Sequence, residues 1–370
     1  MTPQPSLDRL VDEVCARAAE VHGDVHGVVS QQVDRLAPLA TADERRLAIA
    51  RATARLDGLD ALDEHLRDPR IDEVMVNRGR EVWVDFGDAP QRVADLPDGA
   101  IDTVLERVLG PLGKRLDRTT PIIDARLADG ARICAVVSPI AVDGTTVAIR
   151  RHRSRQIPID RFGDPPVIAL LDDIVRRRAN VLVTGATSSG KTTLLAALAG
   201  LVGLRQRIVV IEDTTELELD QLHVVRLESR TDTVDGIRSI DTAELVRTAL
   251  RLRPDRLVVG EFRGSEVLAV LQALNTGHDG SLATCHANSA LDGLRRVETL
   301  VMQASPTWPL LAIRRQVSRS IDVVIHVHRR SDGTRRIDQI VEVIESDREP
   351  DGHPLVVDGS VVAEFGRGRR

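Results

Sequence analysis

The stretch of sequence that decides the fold runs from Asn180 to Leu195 and reads NVLVTGATSSGKTTLL. It contains the pattern G-x-x-x-x-G-K-[ST], with an apolar β-type run directly before it and a helix-type run directly after it. In that context the pattern forms a phosphate-binding loop. Gly185 and Gly190 permit backbone angles that turn the intervening amides inward, and the following helix adds its positive N-terminal end. The sequence therefore predicts a loop that binds ATP together with Mg²⁺.

Every residue of this loop is expected to contact the nucleotide: Gly185, Ala186, Thr187, Ser188, Ser189, Gly190, Lys191, Thr192 and Thr193. Lys191 is expected to bridge the β- and γ-phosphates, and the hydroxyl of Thr192 is expected to ligate Mg²⁺. Only two of the 50 basic residues in the chain are lysines, and one of them is Lys191. A flexible ammonium group, unlike the planar fork of arginine, can curl over a loop to reach the outer phosphates. The alternative, a glycine turn that binds no ligand, is disfavoured by the flanking strand and helix patterns.

Acidic residues follow two further apolar runs. RLVVGE, residues 256–261, ends in Glu261, which can polarise an attacking water molecule; taken alone, a glutamate at a strand end is more often a solvated surface residue. RIVVIEDTTELEL, residues 207–219, places Glu212, Asp213 and Glu216 just past a strand end. Such carboxylates can orient the nucleophile or hold a metal through water, and Asp213 is predicted to bind Mg²⁺ beside Thr192. The alternative is a helix N-terminus enriched in acids that favour its dipole.

Two histidines surround a short strand in GHDGSLATCHANS, residues 277–289. His278 and His286 could suggest a zinc site, but Cys285 and His286 are neighbours that point to opposite faces of a strand. A tetrahedral site is therefore disfavoured. We expect these histidines to contact the phosphates or the acids.

The pattern of elements divides the chain into a helical extension (1–66), a small α+β domain (67–154), a proline-containing linker (155–166), an α/β domain (167–350) and a tail (351–370). The α/β domain alternates apolar strands with helices, which indicates a parallel sheet covered by helices on both faces. Asp332-Gly333 lies between two strand-like runs and predicts a hairpin.

The composition excludes several classes of protein. A net charge of −6 disfavours a surface built to hold nucleic acid, and three widely spaced cysteines indicate neither a disulfide framework nor a zinc cluster. The chain has no apolar run approaching the ~20 residues that a membrane span needs, and its start lacks the layout of a signal peptide. We therefore expect a cytosolic protein that contacts a membrane only through a partner.

Four blocks occur in a defined order: GATSSGKTT (185–193), IEDTTEL (211–217), RPDRLVVGEFRG (253–264) and NTGHDGSLATCHANS (275–289). On these blocks the chain resembles the secretion ATPases of the type II/type IV superfamily, and most of all the tight-adherence pilus branch, called CpaF or TadA-like. The resemblance implies a RecA-like P-loop ATPase domain preceded by a small α+β domain and an N-terminal helical region. It also implies a hexameric ring that binds ATP between the small α+β domain and the RecA-like domain. This ring would drive pilus assembly or export through an inner-membrane platform protein.

The resemblance further implies the roles of individual residues. Glu261 becomes the catalytic acid of the Walker B block, and His286 becomes the histidine of the His box. Glu212 and Glu216 become the acids of the Asp box.

In relatives, arginines of the small domain close onto the nucleotide, and Arg132 and Arg150 occupy the matching places. Phe262 and Cys285 depart from the family pattern without removing a catalytic group. Two alternatives remain open: a conjugation-type secretion ATPase, and a regulatory scaffold that binds ATP with little turnover. The second is disfavoured because a scaffold has no chemical need for a water-activating acid.

Overall fold

The computed structural model describes residues 7–18, 24–86, 89–151, 157–230, 238–330 and 332–366. These residues form two compact units, one within 7–151 and the other within 157–366. Part of the predicted linker lies outside the described residues. The rest of it is not a simple connection, because Pro165 and Pro166 begin a helix, where proline is well tolerated.

The first unit opens with four helices: α1 (Leu7–Ala18), α2 (Val25–Leu36), α3 (Ala42–Asp57) and α4 (Leu62–Arg67). A capping box begins α3: the Thr41 side chain accepts a bond from the Glu44 amide, and the Glu44 side chain accepts one from the Thr41 amide. Helices α1 to α3 pack around one small core of their own. Helices α1 to α3 lie within residues 1–66, the range predicted to form a helical extension, and α4 ends one residue beyond it.

The same unit contains an antiparallel sheet of six strands in the order β3-β2-β1-β6-β5-β4. Its strands are β1 (Glu73–Asn77), β2 (Glu81–Asp85), β3 (Gln91–Asp95), β4 (Ile122–Arg126), β5 (Arg132–Val136) and β6 (Thr146–Arg150). Alternate residues of β1 and β2 are buried, which is the pattern of a sheet with one face against a core. Helix α5 (Ala100–Leu109) packs into that core.

A sheet of nine strands forms the second unit, in the order β15-β14-β13-β12-β7-β11-β10-β8-β9. Six neighbouring strands are parallel: β7 (Val181–Gly185), β8 (Ile208–Glu212), β9 (Val224–Glu228), β10 (Arg256–Phe262), β11 (Leu282–His286) and β12 (Val323–Arg329). Three are antiparallel: β13 (Arg335–Ile344), β14 (Asp351–Val357) and β15 (Ser360–Val361). The predicted tail from residue 351 is therefore not a simple tail, because it supplies the last two strands.

Helices cover both faces of this sheet, as the alternating pattern predicted. On one face lie α6 (Pro165–Arg176) and α7 (Lys191–Gly200). On the other lie α8 (Thr242–Ala249), α9 (Glu266–Leu274), α10 (Ala290–Ala304) and α11 (Leu310–Ser320). The predicted α/β fold class is confirmed. Across the described ranges, no helix is both long and apolar enough to cross a membrane.

The order of the strands decides where the chemistry lies. Strand β7 has β12 on one side and β11 on the other, and the neighbour of β11 is β10. Because these strands are parallel, the residues that follow β7, β10 and β11 meet at one edge of the sheet, which is where ligands bind in such sheets.

A buried arginine holds the opposite edge together. Arg256, the first residue of β10, is 2% exposed. Its guanidinium donates to Gln206 Oε1 at 2.7 Å, to the Gly280 carbonyl at 2.9 Å and to the Val175 carbonyl at 3.0 Å. Burial lowers its pKa to about 10, so that it keeps its charge at neutral pH.

Replacing Arg256 by Met should lower the free energy of unfolding of the second unit by about 3 kcal/mol, because it leaves buried carbonyl groups without donors. The chain has two tryptophans, and Trp308 packs on a core of the second unit. Urea unfolding followed by fluorescence in a Trp83→Phe background therefore reports on this unit. As a control, Arg319→Met removes an exposed pair with Glu345 and should cost less than about 1 kcal/mol. Equal losses in the two variants would contradict the assigned role of Arg256.

Candidate active site

The loop between β7 and α7 has the backbone geometry of a phosphate cradle. Ser188 and Gly190 both have left-handed backbone angles, with φ of 60° and 97°. At Gly185 a side chain is excluded, because a Cβ there would overlap Ser189 Oγ and the Val327 carbonyl. Within the described part of the chain, Ser189 Oγ is buried and has no hydrogen-bond partner. A buried hydroxyl of this kind, in a loop closed by two glycines, fits a site that takes a hydrogen-bonding ligand.

The start of α7 completes the cradle. The helix begins at Lys191 after Gly190, and no side chain caps it. The first-turn amides of a ten-residue helix are then available to an anion, and the helix dipole favours negative charge there. The residues present therefore fit the triphosphate of a nucleotide.

Lys191 connects the loop to His286 and Glu261. Its side chain is 7% exposed, and its Nζ donates to the Ala186 carbonyl at 3.0 Å. The same Nζ lies 3.1 Å from His286 Nδ1, and His286 Nε2 lies 2.9 Å from Glu261 Oε1. Because an ammonium group only donates, Nδ1 accepts, which places the ring proton of a neutral His286 on Nε2, facing the Glu261 carboxylate. Burial lowers the pKa of both Lys191 and His286.

Strand register brings these residues together. In the ladder between β7 and β11, His286 lies opposite Gly185. In the next ladder, Phe262 of β10 lies opposite Cys285, so Glu261 ends up beside His286. His278 is placed differently, since its Nδ1 contacts the Ala273 carbonyl at 3.2 Å and not the acids.

Arg263 is a residue that the sequence did not single out. Its Nε and Nη2 donate to Glu261 Oε2 at 3.0 and 2.9 Å, and its Nη1 lies 3.6 Å from Asp213 Oδ2. The guanidinium thus fixes one carboxylate oxygen of Glu261 while the other faces His286. Because the chain has 48 arginines, the sequence alone does not distinguish Arg263, although it stands within the quoted block RPDRLVVGEFRG.

Glu212 holds a loop in place. The residue is 5% exposed, and its Oε1 accepts hydrogen bonds from the Glu216 and Leu217 amides at 3.0 and 3.1 Å. A Cβ on Gly260 of β10 would lie 3.0 Å from Glu212 Cγ, so Glu212 packs closely on the backbone of β10. Burial raises the pKa of Glu212 to about 7, and the two hydrogen bonds from backbone amides only partly oppose this rise. The catalytic roles of Glu212 and Glu216 stay predictions.

Asp213 turns toward α8 and Arg263. Its Oδ1 accepts a bond from Thr242 Oγ1 at 2.6 Å, and Ser229 Oγ donates to its carbonyl oxygen at 3.2 Å. Among the residues that the structure describes, no group of three or more His, Cys, Asp and Glu side chains could hold a metal ion. Binding of Mg²⁺ by Thr192 and Asp213 therefore stays a prediction.

Arg132 and Arg150 lie in the first unit. They are directly opposite each other in the ladder between β5 and β6. Their side chains therefore share one face of the small sheet. Their contact with a nucleotide stays a prediction.

This fold and loop define the class of the protein: it is a P-loop ATPase with a RecA-like core. The chain belongs to the family described as type II/IV secretion system proteins, whose family model matches residues 56–350. A putative conjugal transfer protein of Mycobacterium tuberculosis is 37% identical over 298 residues, which cover 77% of this chain and 84% of that protein. The type IV secretion system protein PtlH of Bordetella pertussis is 33% identical, over 79% of this chain and 95% of that protein.

A solved structure shows the same fold. The pilus retraction motor PilT with bound ADP superimposes with a TM-score of 0.56, at 20% identity, over 75% of this chain and 80% of that chain. The likeness supports the RecA-like core.

The raised pKa of Glu212 predicts a pH dependence of stability. The folded state holds a proton that the unfolded chain, with the ordinary pKa of 4.5, has already released. The contribution of Glu212 to the free energy of unfolding is greatest below pH 4.5. It falls as the pH rises to about 7 and is constant above that. Glu212→Gln keeps an oxygen acceptor for the two amides and cannot titrate.

The difference in unfolding free energy between wild type and Glu212→Gln should therefore change by on the order of 3 kcal/mol between pH 4.5 and pH 7.5, in favour of the glutamine variant. Urea unfolding at several pH values, without nucleotide and with EDTA present, measures this difference. Parallel stability curves would show that the carboxyl group is ionised in the folded protein throughout this range.

Proposed function

We propose that this protein is an ATP-hydrolysing motor of a type II/IV secretion or pilus machine. It would work as a homohexamer at the cytoplasmic face of the inner membrane, bound there through a platform protein. The connection from Lys191 through His286 to Glu261 carries the proposal, because it joins a phosphate-binding group to a water-activating acid over contacts of 3.1 and 2.9 Å.

In the proposed reaction, water attacks the γ-phosphorus of ATP and the bond to the bridging oxygen of ADP breaks. Lys191 leaves the Ala186 carbonyl and His286 to bind the β- and γ-phosphates. Glu261 orients the water through Oε1, because Arg263 already holds Oε2. Thr192 and Asp213 would hold Mg²⁺, which when bound neutralises charge on the phosphates.

His286 gives this arrangement a means to sense the nucleotide. Its Nδ1 accepts from Lys191, whereas its Nε2 faces Glu261. A phosphate that draws the ammonium away changes the partner of Nδ1, and the ring beside Glu261 responds. The histidine therefore couples occupancy of the loop to the position of the catalytic acid.

The proposal has two branches, which differ in the machine that the motor drives. The resemblance of the four sequence blocks supports the tight-adherence pilus branch. The names of the relatives from Mycobacterium tuberculosis and Bordetella pertussis support a conjugation or type IV secretion branch. A net charge of −6 disfavours direct binding of nucleic acid, so in either branch we propose that the motor acts on protein partners.

Glu261→Gln should lower the rate of ATP hydrolysis by about a hundredfold or more while nucleotide binding persists. Lys191→Ala should weaken nucleotide binding itself, because it removes the ammonium from the loop. Phosphate release and equilibrium binding of ADP separate the two effects. Glu349→Gln, a change at an exposed residue paired with Arg295, is the control and should match wild type.

Equal and negligible hydrolysis by wild type and Glu261→Gln would contradict the motor and favour the regulatory scaffold. Addition of DNA and of a membrane platform protein, separately, then distinguishes the branches. Stimulation by DNA would favour the conjugation-type alternative and contradict a motor that acts only on protein.

A further inference from the structure

Arg335 lies across the phosphate loop. It is the first residue of β13, opposite Arg329 of β12 at the start of the hairpin. A Cβ placed on Gly190 would overlap Arg335 Cδ and lie 2.9 Å from its Nε. The stem of this half-buried arginine therefore runs directly over the residue that precedes Lys191, and its guanidinium starts at the edge of the cradle.

The order of the strands tells which end of a nucleotide Arg335 faces. Glu261 and His286 stand at the ends of β10 and β11, on one side of β7, whereas β12 and β13 lie on the other side. Lys191 Nζ points toward His286. A triphosphate with its γ-phosphate beside Glu261 then has its α-phosphate on the opposite side of the loop, toward Arg335.

The neighbouring segment of chain, residues 159–164, holds the start of β13 in place beside α7. A 3₁₀ helix at Ile159–Arg161 contacts α7, and the Phe162 carbonyl accepts a bond from the Ile337 amide at 2.8 Å. Arg336 bonds to Asp164 at 2.6 Å. Arg336 therefore bonds to this segment, whereas Arg335 lies against Gly190 of the loop.

We propose that Arg335 is a nucleotide-binding residue that contacts the α-phosphate end of bound ATP and ADP. This inference rests on the proposed function, which requires that the loop binds a nucleotide. A guanidinium is suited to the task, because its planar fork can donate two parallel bonds to phosphate oxygens. Gly190 is then needed for two reasons: its φ of 97° and the space that the arginine stem occupies.

Arg335→Met tests the proposal, because methionine keeps an apolar stem over Gly190 and removes the guanidinium. We expect the Kd for ADP and the Kd for a non-hydrolysable ATP analogue, both measured by calorimetry with Mg²⁺, to rise by a similar factor of about ten or more. KM for ATP should rise with little change in kcat, because the contact is the same in substrate and transition state. Arg336→Met is the matched control and should bind both nucleotides like wild type.

Three results would overturn the proposal. Unchanged affinities in Arg335→Met would show that only the stem matters. A loss confined to the ATP analogue would place the arginine at the γ-phosphate. Equal losses of affinity in Arg335→Met and Arg336→Met would show a general effect on the hairpin and contradict a contact made by the Arg335 guanidinium. If wild type bound neither nucleotide, the proposed function would fall as well, which distinguishes that failure from the others.

Discussion

The buried ammonium of Lys191 is the interaction on which the site depends. A lysine that is only 7% exposed needs acceptors around its ammonium group. The structure supplies the Ala186 carbonyl and His286, and His286 in turn faces Glu261. These partners come from the loop after β7 and from the ends of β11 and β10. The surroundings of the lysine therefore depend on the register of three strands at one edge of the sheet.

The opposite edge is held by polar side chains with no part in the chemistry. Asn180, just before β7, donates to the Ser320 carbonyl at 2.9 Å and accepts from the Gly280 and Ser281 amides at 2.9 and 3.1 Å. Arg256 joins the start of β10 to its neighbours through the three hydrogen bonds that its guanidinium donates. Strand β10 thus has a structural arginine at one end and the proposed catalytic acid near the other. Since the strand between them is mostly buried and paired with a strand on each side, fixing one end helps to position the other.

The pattern of neighbouring residues in the sequence was enough to predict the elements that form from local sequence alone. The loop, the helices α6 to α9 and the strands β7, β8 and β10 to β13 follow from periodicity, glycine positions and apolar runs. Strand β14 was missed, because DGHPLVV contains a proline and polar residues and reads as a tail until β13 is available to pair with it. Strand β9 was missed because VVRLE is only half-buried at the edge of the sheet. Arg263 was missed for a chemical reason: in a chain with 48 arginines, only the contact with Glu261 distinguishes it.

Two glycines indicate which of the many arginines pack against the backbone. Gly280 has a φ of 82°, and a Cβ there would overlap the guanidinium of Arg256. Gly190 has a φ of 97° and stands in the same relation to the stem of Arg335. In both cases the absence of a side chain lets an arginine cross the backbone at contact distance. A lysine could cross the same glycine, but its single ammonium would not present a fork to two carbonyls or to a phosphate. The pairing of a left-handed glycine with an arginine thus marks an arginine whose side chain packs on the backbone, and it separates these two arginines from solvated ones.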